Sequence, residues 1–79
     1  MDILYIIIKN TYFGGGEERE SYGIAVVDKN DENTILDSVP DISFDIHQIE
    51  ILTMLCNGFQ IPHLHFRNVI DDFLNDNGL

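Results

Sequence analysis

Near its start the chain places six large apolar residues in a row, Ile3-Leu4-Tyr5-Ile6-Ile7-Ile8. Four of them are isoleucine, whose branched Cβ restricts χ1 against a helical turn and suits the pleated surface of a sheet. The run is far shorter than the roughly 20 apolar residues of a membrane-spanning helix. Nor does it alternate with polar residues, as a strand solvated on one face does. It predicts a strand over residues 2–9 that is covered on both faces, and in a three-stranded sheet such a strand is the natural central one.

The remainder reads as two more strands and two helices. Tyr12-Phe13 extends the first strand toward Gly14-Gly15-Gly16, a turn whose glycines permit positive φ. Residues 21–28 predict a second strand with Tyr22, Ile24 and Val26 on one face and Gly23, Ala25 and Val27 on the other, the small residues allowing a helix to approach. The polar segment 29–33 turns the chain into a third strand over 34–39, which Pro40 ends. Asp45 is placed to cap a helix over 46–57, with Gln48 completing a capping box and Gly58 at C′. Ile49, Ile51, Leu52, Leu55 and Cys56 share its broad apolar face, while His47, Glu50, Thr53 and Asn57 share the opposite one. Pro62 opens a second helix that runs to about Asp76 and stops before Asn77-Gly78. Its stripe is Phe66, Val69, Ile70, Phe73 and Leu74, and Leu64, Asn68, Asp71, Asp72 and Asn75 lie opposite. The expected fold is α+β, β-β-β-α-α: a three-stranded antiparallel meander followed by two α-helices packed on one face, one domain over 1–79.

A chain of 79 residues has room for a single core. Its 44% hydrophobic and 23% charged residues are ordinary for a globular protein. The charge balance is unusual: 14 acidic residues against 4 basic ones give a net charge of −10. After residue 30, nine carboxylates face Arg67 alone. Such a surface repels nucleic acid, so direct binding is not expected. It serves solubility or it addresses a basic partner. Met1-Asp2 stands where a secretory signal carries basic residues, and no cleavage site follows, so the expected location is cytoplasmic, with no membrane contact. The single cysteine, Cys56, lies among apolar residues and reads as a buried structural thiol.

Chemistry-bearing patterns are weak. On a helix, His63 and His65 point about 200° apart and cannot grip one ion. His63 is expected to flank the core beside Phe66 and Ile70, and His65 to bond Asn68 or Asp72. The triple glycine is followed by Glu17-Glu18, which would repel a phosphate, and lacks the Lys-Ser/Thr ending of a phosphate loop. Ser21, Ser38, Ser43 and Cys56 have no local nucleophile signature. Asp71 and Asp72 diverge by 100° and form no acid/base pair. No catalytic residue, no metal site and no cofactor is expected, and the protein is read as not an enzyme.

The segment His65-Phe66-Arg67-Asn68-Val69-Ile70-Asp71-Asp72-Phe73-Leu74, with Tyr22-Gly23-Ile24 and Cys56-Asn57-Gly58 upstream, resembles a small bacterial family of unknown function. The closing helix of that family reads like His-Leu-Arg-Asp-Val-Ile-Glu-Asp-Phe-Leu. Here Phe66, Asn68 and Asp71 depart from the pattern. The likeness covers about residues 20–75, implies a β-rich first half and a closing helix, and supplies no activity.

The leading expectation is a protein-binding module that inhibits or regulates its partner. In its most concrete form the carboxylates of Glu17, Glu18, Glu20, Asp71, Asp72 and Asp76 mimic nucleic-acid phosphates on a DNA- or RNA-binding effector, as anti-CRISPR proteins and related anti-defence inhibitors do, with exposed Leu64 nearby. The alternative is a housekeeping regulatory or structural protein that binds through an apolar surface. A histidine-based metal or small-molecule sensor is a third reading. A homodimer is also expected, joined through a sheet edge or the uncovered side of the sheet.

Overall fold

The computed structural model describes residues 2–76. Strands β1 (Ile3–Gly14), β2 (Glu17–Asp28) and β3 (Asp31–Ser43) form one antiparallel sheet in the order β1-β2-β3. Helix α1 (Ile46–Gly58), a 3₁₀ turn at His63–His65 and helix α2 (Phe66–Asp76) follow. The meander and the two helices match the arrangement read from the sequence, with longer strands. Gly15 and Gly16 take φ of +58° and +80°. Two successive positive φ values make the tight hairpin turn that sets Gly14 opposite Glu17 and carries an unbroken register back to Ile3 opposite Asp28.

The apolar run does not occupy the centre of the sheet. Two short turns wire the strands in sequence order, so β2 lies between its neighbours and β1 is an edge. Ile24, Ala25, Val26 and Val27 of β2 are each fully buried. On β1, Ile3 and Tyr5 face the helices, while Leu4, Ile6 and Ile8 are half-buried on the opposite face.

The helices also sit on the other face of β2 from the one its small residues suggested. They pack over Tyr22, Ile24 and Val26. What comes close at Gly23 is the backbone of β3: a Cβ there would lie 2.2 Å from the Val39 carbonyl oxygen and 2.7 Å from Pro40 Cα. Pro40 does not end β3, which runs on through a bulge in which Pro40, Asp41 and Ile42 stand against Gly23. Asp41 takes φ of +57°. Its carboxylate then accepts from Tyr12 Oη at 2.6 Å and Asn10 Nδ2 at 3.4 Å, tying β3 to β1 across that face.

One core joins Tyr5, Ile24, Val26, Ile42, Ile49, Leu52, Cys56, Phe66 and Ile70. The Tyr5 and Phe66 rings lie 5.1 Å apart at a tilt, a favourable aromatic contact. The α2 stripe faces inward as its spacing predicts, with Phe66 and Ile70 deepest and Phe73 only half-buried. Pro62 precedes the 3₁₀ turn in an extended conformation, so α2 starts four residues later than its proline suggests. At the end of α1, Gly58 is still helical, Phe59 is the C-cap and Gln60 takes the positive φ, +51°. The expected stop at Asn77-Gly78 lies outside the described residues.

Candidate functional site

Helix α1 is locked to the sheet at both ends. At its start, Asp45 Oδ1 accepts from the His47 N–H at 2.9 Å. The Asp45 N–H donates to Ser43 Oγ, whose hydroxyl donates to Gln48 Oε1, each at 3.0 Å. The expected capping box thus closes through a serine relay. At the other end, Asn57 lies against the β1 edge: its Oδ1 accepts from the Tyr5 N–H and its Nδ2 donates to the Tyr5 carbonyl, both at 2.9 Å. One side-chain amide thereby satisfies a peptide donor and acceptor that the sheet leaves open. The Tyr5 phenol donates to the Ile61 carbonyl, and burial pushes its pKa up to about 12.

Between these anchors α1 buries a narrower face than its composition offers. Ile49, Leu52, Thr53 and Cys56 point inward. Thr53 is tolerated there because its hydroxyl donates to the Ile49 carbonyl at 2.7 Å. Ile51 and Leu55, expected in the core, are exposed instead. With Met54 at 65% and Phe59 at 74% exposure they form a second apolar stripe at helical spacing on the solvent side. Its charged neighbours on α1 are confined to the first turns, where Glu50 lies 3.7 Å from His47. Leu64 projects from the 3₁₀ turn at 86% exposure.

The carboxylates singled out from the sequence do not gather in one place. Glu17 and Glu18 stand exposed beside the hairpin turn. Glu20 is engaged, accepting from Tyr22 Oη at 2.8 Å and lying 3.5 Å from Lys9 Nζ. The Tyr22 hydrogen bond, then Lys9, hold its carboxyl below the ordinary range. Asp71 and Asp72 are exposed on α2; the Asp76 side chain lies outside the described residues. The start of α2 is held at Asp37, which accepts from Arg67 Nε at 3.1 Å and Nη2 at 2.7 Å. Asp37 is level with Val26, eight residues from Glu18 along β2, which is roughly 25 Å of strand. Hairpin tip and α2 are therefore separate acidic surfaces.

His63 and His65 are both exposed, and His63 Nε2 approaches Asp37 at 3.5 Å. The Arg67 hydrogen bonds, then that of the Ser38 N–H, lower the Asp37 pKa. Among the described residues no three His, Cys, Asp or Glu side chains converge as a metal would require. A groove of about 740 Å³ separates the beginning of β1 from residues 60–63, lined by Lys29, Cys56 and His63 among others. Burial pushes the Cys56 thiol up, away from the thiolate a nucleophile needs.

The sequence model of the family of unknown function DUF6514 matches residues 1–76, and the chain belongs to that family. The match extends the likeness seen in the closing helix over nearly the whole chain. No curated protein and no solved structure matches it. No helix among the described residues is long and apolar enough to cross a membrane.

Proposed function

We propose that this chain is a non-enzymatic protein-binding module, an inhibitor or regulator that docks through the outer face of α1. The observation that carries the reading is the stripe Ile51, Met54, Leu55 and Phe59, exposed on a helix that is apolar on both sides. A helix apolar all round is ordinarily one that is covered all round. The fold covers half of it. With a net charge of −10 on the chain, the occupant that fits is a protein offering an apolar groove with a basic rim. Phosphate mimicry by the carboxylates, the anti-CRISPR-like form of the same idea, has less support: Glu20 is engaged, and the hairpin-tip and α2 carboxylates belong to different surfaces.

The two forms separate in one experiment. Tagged chain captures its partner from the native host at about 0.05 and 0.5 M salt, where the Debye length shrinks several-fold. Wild type is compared with Met54→Glu and with Asp71→Lys/Asp72→Lys. Docking on α1 predicts loss with Met54→Glu, retention with the charge reversal, and only a modest weakening at high salt, as the basic rim is screened while the apolar contact persists. Loss with the charge reversal and at high salt, with Met54→Glu still binding, would overturn it in favour of mimicry.

A further inference from the structure

We propose that two copies of this chain join edge to edge along β1, making a continuous six-stranded sheet with Asn10 opposite Asn10 of the second copy on a two-fold axis. The direction of the free peptide groups follows from the hairpin. A two-residue turn makes Gly14 and Glu17 a hydrogen-bonded pair, so the even-numbered residues of β1 bond to β2 and the odd-numbered ones point outward. The Asn57 bridge confirms the phase independently, since both peptide groups of Tyr5 are directed away from β2.

Asn57 closes that edge at Tyr5 only. Beyond it, the peptide groups of Ile7, Lys9, Thr11 and Phe13 have no partner outside the strand ladder among the described residues. Such an edge is a template for another strand. It also carries side chains with no cover of their own: Phe13 is 81% exposed, and Ile7 is exposed on the same face.

A second copy is the occupant that charge allows. In a chain of net charge −10, residues 3–14 contain Lys9 and no carboxylate, so no acidic side chain of β1 itself opposes the second copy. The carboxylates that reach the strand are held by its own donors, Asp41 by Tyr12 with Asn10 and Glu20 by Lys9. The register is selected by three observations. Centring the pairing on Lys9 would set Lys9 against Lys9 and direct Phe13 at the blocked groups of Tyr5. Centring it on Thr11 would leave Ile7 without a partner inside β1. Centring it on Asn10 pairs Ile7 with Phe13 and Lys9 with Thr11 of the second copy, each pair exchanging two hydrogen bonds and Tyr5 staying outside the ladder. Ile7 against Phe13 is a β-branched and aromatic pair, among the favourable cross-strand combinations.

Sedimentation of the purified chain at about 100 µM, a concentration that detects even a weak pairing, is expected to give twice the 9.0 kDa mass. Thr11→Pro removes an outward N–H and no bond to β2, so it should yield the 9.0 kDa species with an unchanged circular dichroism spectrum. Asn10→Cys places two thiols on the axis in a non-hydrogen-bonded pair, about 4.5 Å between Cα atoms and within disulfide reach. Under mild oxidation it should cross-link at least tenfold faster than Lys9→Cys or Thr11→Cys, a positional preference of about 1.4 kcal/mol or more. Met54→Glu should leave the dimer intact, which keeps this interface distinct from the α1 docking face. A wild-type chain of 9.0 kDa at that concentration, a dimer that survives Thr11→Pro, or faster cross-linking at residue 9 or 11 would overturn the proposal.

Discussion

Helix α1 carries more apolar side chain than α2, and the two helices use theirs differently. On α2 the apolar residues fall on one stripe, Phe66, Val69, Ile70, Phe73 and Leu74, and that stripe is turned to the sheet while Asp71 and Asp72 face water. Its surface is finished by the fold. On α1 the apolar residues go round the helix, and the sheet takes only Ile49, Leu52 and Cys56, with Thr53 between them. The anchoring differs too: α1 is fastened by uncharged groups, Asn57 on Tyr5 and Ser43 on Gln48, whereas α2 is fastened by the ion pair Arg67–Asp37. A helix that exceeds what its own domain can bury has surface left for another molecule. A helix that matches its domain has none.

The sharpest way to break this contrast is at the buried end of α2. Phe66 is fully buried against Tyr5, so Phe66→Ala is expected to cost about 3–5 kcal/mol in denaturant unfolding. Phe73→Ala, at a half-buried position, should cost clearly less. Equal losses would mean that the stripe is buried along its whole length. Next in size is the uncharged anchor of α1: Asn57→Ala strips the partners from the Tyr5 N–H and carbonyl and should cost about 2 kcal/mol, with amide exchange at Tyr5 accelerated. An unchanged Tyr5 exchange rate would show that the bridge is dispensable.

Tyr5→Phe removes the bond to the Ile61 carbonyl and should cost about 1 kcal/mol at neutral pH. Its pH dependence is the more telling readout. The fold holds the phenol neutral, with a pKa raised from 10.0 to about 12, so this contribution is complete below pH 10 and is lost as pH rises toward 12. The variant should therefore show a shallower alkaline loss of stability than wild type. Asp37→Asn tests the charged anchor with the opposite sign. A carboxylate whose pKa is lowered stabilises the fold above its unfolded value of 3.8, and the effect disappears as pH falls through the folded value. Melting curves of the variant and wild type should differ modestly at pH 7 and converge in acid. The smallest effect is expected at Met54→Glu, which touches only the exposed side of α1 and should leave the melting temperature within a degree or two.

Much of this architecture is legible in the residues. Asp45 ahead of an apolar run marks the start of α1, and the 3.6-residue spacing of Phe66, Ile70 and Phe73 gives the inward side of α2 correctly. Gly15-Gly16 marks the hairpin. Other features carry a signal that local reading misassigns. Gly23 looks like room for a helix, but the neighbour it admits is the β3 backbone at Val39 and Pro40. Pro40 looks like a strand end because it donates no ladder bond, yet at a bulge on an edge strand none is asked of it. Asn57 reads as a polar residue on the outer side of a helix. Its role depends on an edge strand 52 residues away.

Legible from the residues alone are the order and type of the elements, the hairpin glycines and the Asp45 cap of α1, because helix and strand periods, turn glycines and an N-capping side chain act over a few residues; where α1 stops and α2 starts was not. The sequence also determined the charge and the absence of carboxylates on β1. Which strand lies in the centre, which side of α1 is left in water, and which carboxylates are engaged were decided by tertiary structure alone. A periodic pattern records that a side of an element is apolar, and says nothing about what covers it. Cover depends on chain connectivity, since two tight turns put β2 between β1 and β3, and on long-range contacts such as Asn57 with Tyr5 and Arg67 with Asp37, whose partners lie too far apart in the chain for local chemistry to select them.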